Sequence, residues 1–252
     1  MYESIIEGIR LHDESVVAQC ANEQGVIVQS ILDAVPTYDS QSRMLSVECI
    51  STQQTPAAAL GLLRLLDDDD VNVANAAIQS LRPKAQLAPV NDVLSALKVQ
   101  DEPYIREQLY LVVGDFQQDK AITELREQLK GEEDPDAALA GLVAIVKLNG
   151  APERDKFMAM VQAAEADDAV DYSEKLLYIG DKHLAEGLRA WLPRKDEVYR
   201  LDSDRSPDKM VRMCDIAVWT SHLLGVAFIP PLTHIDIFEE DLLVNANFLM
   251  SQ

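Results

Sequence analysis

Few residues in this chain are of the types and spacings that carry a reaction. Cys214 and Asp215 stand with His222 eight positions after the cysteine, the residue types of a thiol nucleophile and its base. On a helix that spacing spans over two turns, about 12 Å at roughly 1.5 Å per residue. Direct contact is therefore not expected, and Cys214 reads as a small buried hydrophobe. His234, Asp236, Glu239 and Glu240 are metal-ligand types, but they match no HExxH or comparable spacing. The run Asp67 to Asp70 lacks the Asp-x-Asp-x-Asp-Gly order of a calcium loop. It reads instead as a solvated turn whose carboxylates suit the start of the helix that follows. GxGxxG, P-loop and GxSxG motifs are absent, and His12, His183, His222 and His234 are not grouped. The sequence predicts no catalytic group, no cofactor and no metal site.

The elements that position these residues come from an internal repeat. Asp70, Glu102 and Asp134 are 32 apart, each in an acidic turn: Asp67-Asp68-Asp69-Asp70, Asp101-Glu102-Pro103 and Glu132-Glu133-Asp134-Pro135. Two apolar columns keep the same spacing, Leu65, Leu97, Leu129 and Val161 before the turns and Leu81, Val113, Ile145 and Leu177 after them. Before the first of these turns, Leu62, Leu65 and Leu66 recur at helical spacing. The turn breaks the helix and its acids suit the next N-terminus, where Pro103 and Pro135 fall at about the first position. Gly114, Gly150 and Gly180 are expected at helix ends with positive φ. Helices are predicted near 2–20, 25–34, 40–51, 55–66, 71–81, 87–98, 103–113, 119–130, 135–148, 152–165, 170–179 and 182–192. A helix pair cannot bury both of its faces alone, and stacked pairs share one core.

The segment Asp70 to Leu81 (DVNVANAAIQSL) resembles the second helix of HEAT-like (armadillo-type) repeats, which favour an acidic turn, Val-Arg, paired Ala and Leu-Gly. The next unit keeps Ile105-Arg106 and Val113-Gly114, and Ala74 stands where that family often has Arg. The resemblance covers roughly 40–180 and implies an all-α, right-handed α-solenoid of HEAT-like helix pairs over 1–192. Residues 193–252 depart from the period. Their expected form is a charged loop over 193–209, a helix over 208–224 ended by Gly225, an extended stretch through Pro230 and Pro231, and an amphipathic piece over about 236–250. Their expected role is a C-terminal cap on the last repeat.

Composition agrees with helices: Leu and Ala are abundant, aromatics are 6%, and Gly and Pro number 10 and 11. The formal net charge of −21 opposes binding to nucleic-acid phosphates and anionic lipid, and steers basic partners. Three scattered cysteines without a CxxC fit a reducing compartment. Neither a signal-peptide pattern nor a membrane-length apolar run is present, so the expected location is cytoplasmic. The repeat family commonly binds along its second helices. In-register positions there are Asn72, Tyr104 and Asp136, with Asn75 and Glu107 (then Leu139) and Ala76, Gln108 and Ala140 beside them. Asn72, Asn75, Tyr104, Glu107, Gln108 and Asp136 are the candidate partner-binding residues, with Tyr104 as the aromatic anchor. The expected function is a non-catalytic protein-binding scaffold or inhibitor, in its sharper form an immunity or antitoxin-like protein masking a basic effector. The family also includes enzymes resembling bilin lyases and DNA glycosylases. The lyase type, and a structural subunit of a larger complex, are the alternatives.

Overall fold

Backbone N–H groups at a helix start have no partner inside the helix, and at several starts this chain supplies one from a side chain. Asp39 accepts from the Ser42 N–H, Thr55 from Ala58, Asp70 from Asn72, and Asp134 from Asp136 and Ala137. Pro56, Pro103 and Pro135 open their helices, where a missing N–H costs nothing. The structure, a computed structural model, describes residues 2–23, 26–116, 118–200, 210–228 and 232–251. It is mostly helical and divides into two compact units, Met1–Leu148 and Asn149–Gln252.

The N-terminal unit holds α1 (Glu3–Arg10), α2 (Ser15–Cys20), α3 (Val26–Ala34), α4 (Ser40–Ser51), α5 (Pro56–Arg64), α6 (Val71–Leu81), α7 (Val90–Val99), α8 (Pro103–Gly114), α9 (Ala121–Leu129) and α10 (Pro135–Lys147). Helices α2, α4, α6, α8 and α10 each pack on the next, and α3, α5, α7 and α9 do the same in a second row. The core lies between the rows. Leu65, Leu97, Leu81, Val113 and Ile145 from the two apolar columns are buried in it, while Leu129 is only half-buried. Small residues let the helices approach: Ala58, Ala59, Ala77, Ala137, Ala140 and Ala144 are buried. At Gly141 a Cβ would sit 2.5 Å from Leu129 Cδ2 and 3.0 Å from Tyr110 Cδ1.

The predicted helix over 2–20 is two helices. His12 takes φ 58° and the Asp13 carboxylate accepts the Ser15 N–H at 3.0 Å, so the chain turns between α1 and α2. Gly114 remains inside α8, and Gly150 has φ −68° because Asn149, at φ 69°, makes the left-handed turn before it. Gly180 and Gly225 do take positive φ, 72° and 100°.

The C-terminal unit holds α11 (Ala151–Ala163), α12 (Ala169–Ile179), a 3₁₀ segment (Lys182–Trp191), β1 (Glu197–Arg200), β2 (Met210–Arg212), α13 (Met213–Leu223) and α14 (Glu240–Leu249). The segment 182–192, expected as an α-helix, winds as 3₁₀ instead, capped by Asp181. The loop expected over 193–209 contains β1, which pairs antiparallel with β2, and the helix expected from 208 begins only at Met213. Residues 201–209, and 229–231 of the expected extended stretch, lie outside the described residues. Side chains close the backbone here: Trp191 Nε1 donates to the Val161 carbonyl at 2.6 Å, and Arg194 Nη1 to Ala164 at 2.5 Å. Both acceptors stand at the end of α11, where carbonyls lack the usual bond from four residues on; the Val161 carbonyl also accepts the Ala164 N–H at 3.3 Å. Asp215, fully buried, accepts from the backbone and guanidinium of Arg212 and from the Phe238 N–H at 2.8–2.9 Å. Arg212 also donates to the Phe238 carbonyl at 2.8 Å, which ties the strand pair to the start of the last segment.

Gly141→Ala sets helix propensity, a gain of about 1 kcal/mol, against overpacking at about 1–3 kcal/mol. The Tyr110 ring is buried and cannot yield, so urea unfolding is expected to show a net loss. Asp215→Ala strands Arg212 and should cost about 3–5 kcal/mol by the same measurement, with little change in the slope against urea.

Candidate functional site

The residue types first considered for catalysis do not assemble. Cys214 Sγ lies 3.9 Å from Asp215 Oδ1, and the buried thiol is pushed up by desolvation and then by that carboxylate, the opposite of an activated nucleophile. His222 instead packs against Trp219 and Phe228, with ring centroids 5.5 and 6.2 Å away. Glu240 pairs with Lys195 at 2.7 Å, and His234 sits 3.8 Å from Asp236. Among the described residues, no three His, Cys, Asp or Glu side chains come together as metal ligands.

The site that does assemble is an acidic edge on the N-terminal unit, built from the turns before α6, α8 and α10. Each turn folds on one side chain at the same spacing of 32: Asp68 accepts the Asp70 N–H at 2.9 Å, Gln100 that of Glu102 at 3.0 Å, and Glu132 that of Asp134 at 3.1 Å. The preceding helix then reaches over. The fourth residue of α4 is Arg43, which holds Asp68 at 3.0 Å, Asp69 at 2.6 Å and the Tyr38 carbonyl at 3.1 Å. The fourth residue of α8 is Arg106, which holds Glu132 through two nitrogens at 2.8 and 2.9 Å and the Asp101 carbonyl at 2.6 Å. The fourth residue of α6 is Ala74, and its turn carries neutral Gln100, whose amide donates to the Leu66 carbonyl at 3.3 Å. Where the arginine is missing, the carboxylate is missing too. These bonds zip the turns side by side.

The Arg106 guanidinium holds the Glu132 carboxyl below its usual range against the opposing effect of burial. Asp39, at the start of α4, is lowered to about 2 by the Ser42 backbone N–H and by His12, whose Nε2 is 3.1 Å from both carboxylate oxygens. Exposed along the same edge are Asp67, Asp101, Glu102, Glu133 and Asp136, and none of them pairs with a cation among the described residues.

The candidate binding residues divide in this frame. Asn72, Tyr104 and Asp136 are the second residues of α6, α8 and α10, at the acidic edge. Asn72 and Asp136 are exposed. Tyr104, expected as an open anchor, is half-buried, and its hydroxyl accepts from Gln79 of α6 at 3.0 Å. Gln108 is buried and accepts from Arg82 at 3.2 Å, so its amide joins two helices rather than facing outward. Asn75 is half-buried with its Oδ1 unpartnered, and Glu107 is half-buried. The pairing of Arg43 with Asp68 and of Arg106 with Glu132, and the matching role of Gln100, are not foreseen in the sequence, although Asp68, Gln100 and Glu132 repeat at the same 32-residue spacing as the caps. No family model, curated protein or solved structure matches this chain.

Both Asp39 and Glu132 have folded pKa values below their unfolded ones. Their contribution to stability is present above about pH 4 and is lost as pH falls through the folded values. Arg106→Ala is expected to cost about 2–4 kcal/mol. Carboxyl-carbon NMR should then show Glu132 titrating above its wild-type midpoint, because burial is opposed only by the Asp134 N–H and the Tyr110 hydroxyl.

Proposed function

We propose that this chain is a non-catalytic protein-binding scaffold, a right-handed solenoid of HEAT-like helix pairs, that takes a partner with a basic surface on its acidic edge. One observation carries the reading. The zipped turns already hold the carboxylates that folding requires, namely Asp68, Asp70, Glu132 and Asp134, yet exposed Asp67, Asp101, Glu102, Glu133 and Asp136 stand among them with no cation among the described residues. Charge of one sign massed on an edge speeds the approach of an opposite surface and disfavours wrong partners. An immunity or antitoxin-like protein that covers the basic site of an effector is one form of this function. The net charge of −21 argues against nucleic acid as the partner. No helix among the described residues is long and apolar enough to cross a membrane.

The test is Asp67→Lys, Asp101→Lys and Glu133→Lys combined. These side chains are exposed and make no cap, so circular dichroism should be unchanged. Immobilised wild-type protein should retain a basic protein from native lysate at low salt and release it between about 50 and 300 mM NaCl. The triple variant should retain at most about a tenth as much. Equal capture by both proteins, or capture by neither, overturns the assignment.

A further inference from the structure

The C-terminal unit contains a cleft whose charge runs against the rest of the chain. It has a volume of about 620 Å³ and lies between α11, the 3₁₀ segment and Asn247 of α14. That volume is within the range of small-molecule sites, about 300–1,000 Å³. Its polar lining is Arg154, Gln162, His183, Glu186, Arg189 and Asn247: two guanidinium groups and an imidazole against one carboxylate, in a protein of net charge −21. The floor is tight. Gly187 is buried there, and a Cβ on it would run into Met158 Cε.

The cations are positioned rather than consumed. Arg189 donates from Nε to Asn247 Oδ1 at 2.8 Å, a bond between residues 58 apart in sequence. Glu186 is 4.0 Å from Arg189 Nη1, beyond hydrogen-bond length. Arg154 gives one Nη1 to Asp181 at 2.8 Å, and Asp181 is itself fixed by the His183 backbone N–H at 2.9 Å. Among the described residues, the remaining guanidinium N–H groups and the amide nitrogens of Gln162 and Asn247 make no hydrogen bond to protein, while the His183 ring lies in the field of Asp181. Surface arginines in an acidic protein ordinarily spend their donors on carboxylates. Here two of them, each held at one nitrogen, keep the rest for the cleft. A planar guanidinium fork matches the two oxygens of a carboxylate or phosphate.

We propose that this cleft is a binding site for a small oxyanion bearing phosphate or carboxylate groups, held by the Arg154 and Arg189 forks and by the amides of Gln162 and Asn247. The site lies in the C-terminal unit and is independent of the acidic edge. Calorimetric titration of the full chain with pyrophosphate and, separately, with citrate tests it, at ionic strength held constant with NaCl. At least one anion should bind with 1:1 stoichiometry, and the stronger of the two identifies phosphate or carboxylate as the group recognised. Arg189→Ala and Arg154→Ala should each weaken that binding at least 10-fold. Gln162→Glu changes an exposed side chain, cannot impair folding through the core, and places a second carboxylate in the cleft. It should abolish binding. Lys156→Ala, an exposed cation on α11 outside the lining, should leave the affinity unchanged. Binding of neither anion, or equal affinity in Gln162→Glu and wild type, overturns the proposal.

Discussion

The unpaired N–H groups at the start of each helix of the α4–α6–α8–α10 row are the constraint from which the rest follows. These helices stack in series, so their N-termini collect along one edge. Each start draws an acid to its dipole and its free donors, worth about 0.3–1 kcal/mol apiece. Repetition turns a local cap into a line of like charge. Helices pack about 8–10 Å apart, and the Debye length in physiological salt is about 8 Å. Neighbouring turns therefore repel one another through only partial screening. Arg43 and Arg106 offset that repulsion at two turns, and an amide replaces the carboxylate at the turn that has no arginine.

Two kinds of carboxylate that look alike in sequence therefore differ in the fold. Asp70 and Asp134 close helix starts, while Asp68 and Glu132 close the turns and are themselves neutralised. Among the described residues, Asp67, Asp101, Glu102, Glu133 and Asp136 make no cap bond with their side chains and have no cation. Their repulsion works against folding and nothing within the described chain repays it. An acidic edge denser than its caps require is what a basic partner would relieve, and relief of that repulsion on docking adds to the affinity.

The repeat was legible because caps and core faces are local. An acid three or four residues before an apolar helical stripe is visible in one window, and a spacing of 32 aligns the windows. The alternation of Arg43, Ala74, Arg106 and Ala138 at the fourth helical position was also there to be read, together with Asp68, Gln100 and Glu132. It went unread because the partners are 25 or 26 residues apart, and only stacking brings them together. Tyr104 and Gln108 are less open than the sequence leads one to expect, for the same reason. A polar residue on a second helix serves equally well as a bond to the adjacent helix, and the sequence does not say which side of it that helix occupies.

The C-terminal unit was less legible because it is held by single long-range bonds rather than by a period. Strands of four and three residues leave almost no alternation to detect. In sequence Asp215 falls inside the helix expected over 208–224; because α13 begins at Met213, it is instead a first-turn acid and accepts the Arg212 N–H. Its burial follows from Phe238, which arrives from 23 residues away to donate its own N–H. A carboxylate with one partner would stay at the surface, because burying a charge costs several kcal/mol or more. With Arg212 gripping both oxygens and Phe238 completing the set, the buried pair fixes where two otherwise unrelated segments meet. A unit assembled in this way has no repeating edge on which to mass one sign of charge; Arg194 and Arg212 close its backbone, and Arg154 and Arg189 are left for a separate task.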